Sequence, residues 1–433
     1  MVRVPVFAAA SSRGPLSHQA ASVWLLFALV LGISPVLFTS SLSQTLLSQM
    51  GIAIIACLSF NLLLGQGGML SFGHAVYSGM GAFAAIHTLN RVANGWVLPV
   101  SLVPVAGGLA SVGVASVLGW VTTKKSATPF AMITFGLGEL VWAGASMFPE
   151  VFGGEAGVSG NRVVAAPVWG VTWGPQLQLT YLIAAYTFVC AWLMFAFTHT
   201  PLGRMLNAVR DNPERVAFVG YNPQMVRYLS FMVAAFFAGV AGGLAALNFE
   251  LVTAEVFSAY RSGAYLIFTF IGGTGFFFGP VIGGVLMVLS FVLLSEFSRA
   301  WLLYLGLIFL LMVMHAPGGV ASIALANWRV MRHGYLRRLL LYYLALLASA
   351  LPALVGTAAL VELVYHRQMD ATLGSNLSFM GLTLSTQAST SWLASAAVCL
   401  AGLGLFAMAR QRFARVWEII QVEMASDAHQ EVA

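Results

Sequence analysis

The run from Asn61 through Ser71 and His74 to Ser78 (NLLLGQGGMLSFGHAVYS) gathers side chains able to handle a polar solute inside an apolar sequence. A break at Gly65-Gln66-Gly67-Gly68 separates two apolar stretches. Exposed backbone at membrane depth is tolerated only where protein or a water-filled cavity satisfies it. Beyond the break, Ser71, His74 and Ser78 recur at i, i+3 and i+7, which predicts one shared helix face. Ser71, Ala75 and Gly79 give a small-residue stripe that permits close helix contact. Two readings of this face stand side by side: a polar lining for a translocation path that also includes Asn61, or tight packing with His74 hydrogen-bonded inside. Glu139 is the other chemical group of note, about ten residues into an apolar stretch and so near mid-bilayer. A carboxylate there has to face a partner or a hydrated path. An internal hydrogen bond that orients helices, a place beside a substrate route and proton coupling all remain open for it.

Other chemistries have no support. A P-loop needs a glycine-rich turn followed by Lys and Ser or Thr, and the only lysines, Lys124 and Lys125, follow no such turn. There is no HExxH, no GxSxG and no pair of acids at catalytic spacing, so enzymatic activity is not expected. Cys57, Cys190 and Cys399 lie in apolar runs without CxxC or histidine spacing, so neither a metal site nor a disulfide framework is suggested. His87, His199 and His315 are isolated. No cofactor is expected.

The elements that must position these groups are membrane spans. Of the 433 residues, 59% are apolar and 8% charged, with a net charge of +6; soluble domains carry about 25% charged residues. No Asp, Glu, Lys or Arg occurs between Arg13 and Arg91. A soluble enzyme, a nucleic-acid binder and a disordered hub are excluded by this composition. Apolar stretches near 22–39, 42–64, 69–89, 97–121, 128–148, 177–198, 229–248, 262–275, 277–295 and 300–315 predict about ten core spans, and those near 339–361 and 391–409 predict two more. The fold expected is an all-α polytopic membrane protein. The Gly-rich stretch at 272–280 is compatible with a re-entrant hairpin in place of two crossings.

Charge asymmetry orients it. With twelve crossings and both termini cytoplasmic, the inner segments hold Arg3 and Arg13, Lys124 and Lys125, the four arginines of 199–228, Arg329 to Arg338, and Arg410 to Arg415. The expected organisation is a cytoplasmic N-terminus (1–21), a transmembrane domain (22–322), a two-span extension (323–409) and a cytoplasmic amphipathic tail (410–433). In the tail, Phe413, Val416, Trp417 and Ile420 share a face suited to the inner leaflet or to a partner.

The basic loop 199–228 contains a short helix with its own boundaries. Asn212 suits an N-cap, Pro213 the first helical position, Glu214 the positive helix end and Gly220 the stop. The helix should run about 213–219 and expose Val216, Phe218 and Val219 beside Arg215.

The segment LLLGQGGMLSFGHAVYSGMGAF resembles the signature of LivM-type permeases of branched-chain amino-acid ABC transporters. The resemblance continues through ATPFAMITFGLGELVWA (127–143), FGGEAGVSG (152–160), PLGRMLNAVRDNPERVAFVGYN (201–222), FFAGVAGGLAAL (236–247), IGGTGFFFGPVIGG (271–284) and APGGV (316–320), in family order over roughly residues 20–322. The chain departs from the family pattern in its two added spans and in Arg215-Val216, where a pair of alanines is common. The resemblance implies an inner-membrane permease subunit for branched-chain amino acids or a related small polar solute such as urea, an amide or a carboxylate. It implies as partners a second related permease, cytoplasmic ATPase subunits and a periplasmic solute-binding protein. It further implies that Arg204, Arg210, Asp211, Asn212, Glu214, Arg215, Phe218 and Gly220 form the surface that couples to the ATPase. The rival reading is an ion-coupled secondary transporter or channel using Glu139 and His74.

Overall fold

The computed structural model describes residues 18–163, 172–298, 300–316, 318–369, 376–379 and 382–430. Arg3 and Arg13, which the charge argument uses, lie outside the described residues, as does most of the proposed 1–21 segment.

Helices begin and end where the local chemistry dictates. In chain order they are α1 (His18–Leu37), α2 (Ser41–Asn61), α3 (His74–Ala93), α4 (Val103–Thr122), α5 (Ala127–Met147), α6 (Pro149–Phe152), α7 (Gln176–His199), α8 (Pro201–Asp211) and α9 (Pro213–Phe218). They continue as α10 (Pro223–Phe249), α11 (Ala259–Gly272), α12 (Gly279–Leu289), α13 (Ser295–Phe297), α14 (Trp301–His315), α15 (Gly319–Arg332), α16 (Leu336–Met369) and α17 (Ser389–Gln430). Ser40, Thr200, Asn212, Asn222 and Ser258 each accept a backbone N–H as side-chain N-caps of α2, α8, α9, α10 and α11. Proline occupies the first turn of α8, α9 and α10, where its missing donor costs nothing.

Among the described residues, seven helical segments are long and apolar enough to cross a membrane, or eight if α14 and α15 form one bent span. This count by length and composition is lower than the ten plus two crossings that hydropathy suggests, in part because some of the helices are short. The fourteen residues of α11 rise only about 21 Å against a hydrocarbon core of about 30 Å. Helix α12 is extended by a π-helical turn over Ser290–Leu294 and is also short.

The described residues fall into two compact units, one within 18–291 and 311–321, the other within 292–310 and 322–430. In the first, α2 and α10 are central, each with 72% of its apolar window buried, against 28% for α5. The Gly239–Gly243 pair faces α4, where a Cβ on Gly239 would strike Ser111 and one on Gly243 would meet the Pro104 backbone. A Cβ on Gly242 would fall on the Ser78 carbonyl, so α3 and α10 touch backbone to backbone. At one end of this unit, β1 (Val158–Ser159) pairs antiparallel with β2 (Leu251–Val252). Arg162 knits the same end together, donating to the carbonyls of Trp173 and Leu247 and lying 4.0 Å from Glu250.

In the second unit, α16 and α17 pack against each other, Gly356 against Cys399 and Gly402 against Ala353. A hairpin pairs β3 (Asn376–Phe379) with β4 (Leu382–Ser385). Helix α17 continues without interruption through the predicted amphipathic tail. Phe413, Val416, Trp417 and Ile420 pack on Val330, Leu339, Tyr335 and Tyr343, so this apolar face is covered within the chain.

Candidate functional site

Helix α2 ends in a π-helical turn over Leu62–Gln66, and the chain then runs irregularly until α3 begins at His74. Ser71 therefore precedes the helix, and its predicted alignment with His74 and Ser78 on one face does not hold. The glycines of the break open the ladder early, which is why the helical spacing fails there. His74 lies fully buried, its Nε2 2.9 Å from the Ser59 Oγ of α2, with Phe60 edge-on at 5.2 Å. The Ala75 N–H donates to Ser262 on α11 at 2.9 Å, and the Phe72 N–H to Thr134 on α5 at 3.2 Å. Three elements, α2, α5 and α11, thus converge on the start of α3.

Three polar atoms in this stretch are buried without a partner among the described residues: Asn61 Oδ1, Ser71 Oγ and His74 Nδ1. Each such atom costs about 1–3 kcal/mol, so a cluster of three is unusual in a packed core. Above them on α3, Ser78 donates to the Ala75 carbonyl at 3.1 Å and lies 3.5 Å from the Tyr265 hydroxyl. Ser78 and Tyr265 also line a cavity of about 430 Å³ that reaches along α10 to Phe249 and Thr253. His74, Ser71 and Asn61 do not line it. Glu139 stands apart, half-buried on α5, and among the described residues its carboxylate makes no hydrogen bond or ion pair.

At the opposite end of α10, α8 and α9 form a compact bracket. Asn212 Oδ1 accepts the Arg215 N–H at 2.9 Å, and Gly220 takes φ +94°, a left-handed conformation suited to a helix stop. Phe218 is 90% exposed and Val219 69%, whereas Val216 is buried. The expectation that Val216 is exposed is thereby corrected: with a helix of six residues, its side chain turns inward while Phe218 turns out. Arg210 reaches back to the break, donating from Nη1 to the Gly65 carbonyl at 2.5 Å, and Asn207 donates to Gln66 Oε1 at 3.0 Å. Arg204 and Glu214 lie on the exposed side of this bracket.

A family model described as branched-chain amino acid transport system / permease component matches residues 42–316, well over half of the chain. The chain belongs to this family. Among curated relatives, the high-affinity branched-chain amino acid transport system permease protein LivM of Salmonella typhimurium is 25% identical over 69% of this chain and 74% of its own length. LivM of Escherichia coli is 25% identical over 62% of this chain and 67% of its own length. The Escherichia coli permease protein LivH is 24% identical over 62% of this chain and 90% of its own length. No solved structure matches the chain.

The branched-chain permease region thus contains the break, α3, the cavity and the α8–α9 bracket, while α15 to α17 lie beyond it. Within that region the structure adds residues that sequence reasoning missed. Ser59, Thr134 and Ser262 hold the start of α3, and Gln66 and Asn207 join the break to α8. They are single polar residues in apolar or amphipathic stretches, and only tertiary pairing distinguishes them. Gly65 carried a visible signal as part of the break: a Cβ there would strike the Asn61 carboxamide and the Thr274 carbonyl.

Proposed function

We propose that the chain is the membrane-spanning permease subunit of an ABC importer in a bacterial inner membrane, with both termini cytoplasmic, taking up branched-chain amino acids or a related small polar solute. It supplies path and coupling surface and leaves ATP chemistry to separate ATPase subunits. A second related permease and a periplasmic binding protein complete the assembly. The observation that carries this reading is the family match over residues 42–316, supported by the polar atoms without a partner among the described residues at Asn61, Ser71 and His74, on either side of the Gly65–Gly68 break. Groups left unpaired in one arrangement are supported if the path hydrates them in another. In this reading the bracket at Arg204–Gly220 docks on the ATPase through exposed Phe218, and the Arg210–Gly65 and Asn207–Gln66 bonds pass its movement to the break. Glu139 borders the path or the second permease, either of which removes the cost of a lone carboxylate in the bilayer.

The test is uptake of radiolabelled leucine by vesicles holding the assembled complex. Uptake that needs internal ATP and the binding protein supports the proposal; uptake by the chain alone, driven by a proton gradient, favours the ion-coupled reading.

A further inference from the structure

We infer that the cavity above Ser78 is a carboxylate subsite in which Arg261 receives the anionic head of a solute with a short apolar tail. This deepens the permease reading and rests on it.

At about 430 Å³, the cavity lies in the usual range for small-molecule sites, about 300–1,000 Å³. Its walls are mostly aliphatic, with Ile52, Val256, Met287 and Val288 among them, and no acidic residue lines it. Arg261 is its only charged lining group. It sits in the first turn of α11, where Ser258 caps the helix by accepting the Arg261 N–H and so fixes where the side chain departs. The guanidinium is half-buried and, among the described residues, has no hydrogen bond or ion pair. Glu255, close in sequence, is exposed and outside the lining.

A half-buried arginine with no ion pair among the described residues is a ready partner for a carboxylate, which its planar fork binds through two parallel hydrogen bonds. Neutral urea and short amides offer no carboxylate to this group and too little apolar surface for the aliphatic wall, and an amide with a longer tail still lacks the carboxylate. Ser78 and Tyr265, which also line the cavity, then face the polar remainder of the solute. The combination selects an apolar-tailed carboxylate over urea and amides.

The test uses membrane vesicles carrying the full chain with Ala245→Cys, a substitution on the cavity wall, and follows maleimide labelling over the wild-type background. The probes are L-leucine, L-leucinamide and urea. Leucine should slow labelling about fivefold at a concentration several times its dissociation constant, while leucinamide and urea leave it unchanged. Adding Arg261→Gln should raise the leucine concentration needed at least about tenfold, and Arg261→Lys should recover part of the protection. Equal protection by leucine and leucinamide, protection by urea, no protection at all, or protection untouched by Arg261→Gln would each overturn the subsite. If it is overturned while the assembled complex still takes up leucine with ATP, the permease reading stands; loss of that uptake in the unmodified complex is the separate failure of the reading itself.

Discussion

Arg210 holds the Gly65 carbonyl at 2.5 Å, joining the last turn of α8 to the π-helical end of α2. The same guanidinium lies 3.0 Å from Asp211, but that pair is exposed on both sides. A hydrogen bond from a charged donor contributes about 1.5–3 kcal/mol, whereas exposed ion pairs contribute about 0–1 kcal/mol. The Gly65 contact is the one of the two that joins distant parts of the chain. It satisfies a carbonyl that the π turn and the glycines leave without a regular helical partner.

Arg210→Gln should weaken this link without altering insertion. With Asn207→Leu added, both bonds between α8 and the break are gone. The double variant should lower leucine uptake about tenfold, the effect of losing roughly 1.4 kcal/mol or more of coupling, while the ATPase subunits still co-purify. Uptake within twofold of the parent would remove α8 from the coupling route.

Phe218 is almost wholly exposed, so Phe218→Asp should leave the unfolding midpoint nearly unchanged, as surface substitutions lie within about 0.5 kcal/mol. It should instead release the ATPase subunits on affinity purification. Retention of both the subunits and full uptake would show that the exposed side of α9 is not a docking surface.

The two polar positions of α3 should separate by readout. Ser59→Ala leaves His74 with neither ring nitrogen paired and should destabilise the protein by about 1–3 kcal/mol, read as a lower melting midpoint in detergent. Ser78→Leu fills the cavity floor and should abolish uptake with a smaller effect on melting. His74→Leu should impair both. A Ser78→Leu protein that transports normally would leave this face of α3 with a packing role alone.

What the sequence conveyed, and what it withheld, follows from the range of the forces involved. Capping at Asn212, the stop at Gly220 and the break at Gly65–Gly68 are local, and so were readable from neighbouring residues. Ser71 was misplaced because a periodic pattern cannot report where a glycine-rich segment leaves the helical path. Val216 was placed outside because nothing local in so short a helix reports which of its faces packs on α8 and α10. The Arg210–Gly65 and Asn207–Gln66 bonds join residues more than a hundred positions apart, which no periodicity encodes. The apolar face of 410–424 was legible as amphipathic, but its cover, the residues around Val330 and Leu339, comes from helices far along the chain.

Glu139 and Glu362 make an instructive contrast. Glu362 on α16 accepts hydrogen bonds from Ser298 and, at 3.3 Å, from Tyr304, whereas Glu139 has no partner among the described residues. Glu139→Gln keeps the shape and a hydrogen-bonding head, and should retain uptake within about twofold; Glu139→Leu removes both and should lower uptake about tenfold or more, since the proposed path or second permease then meets an apolar side chain at this point. Equal, complete loss in both variants with normal assembly would assign the role to the charge itself.

The central claim, that this chain is an ATP-coupled permease, is most directly tested by leucine uptake into vesicles containing the assembled complex, measured with internal ATP or a non-hydrolysable analogue and with or without a protonophore. The account predicts accumulation with ATP, none with the analogue, and no effect of the protonophore at early times. Accumulation that proceeds without ATP hydrolysis and collapses with the protonophore would contradict it.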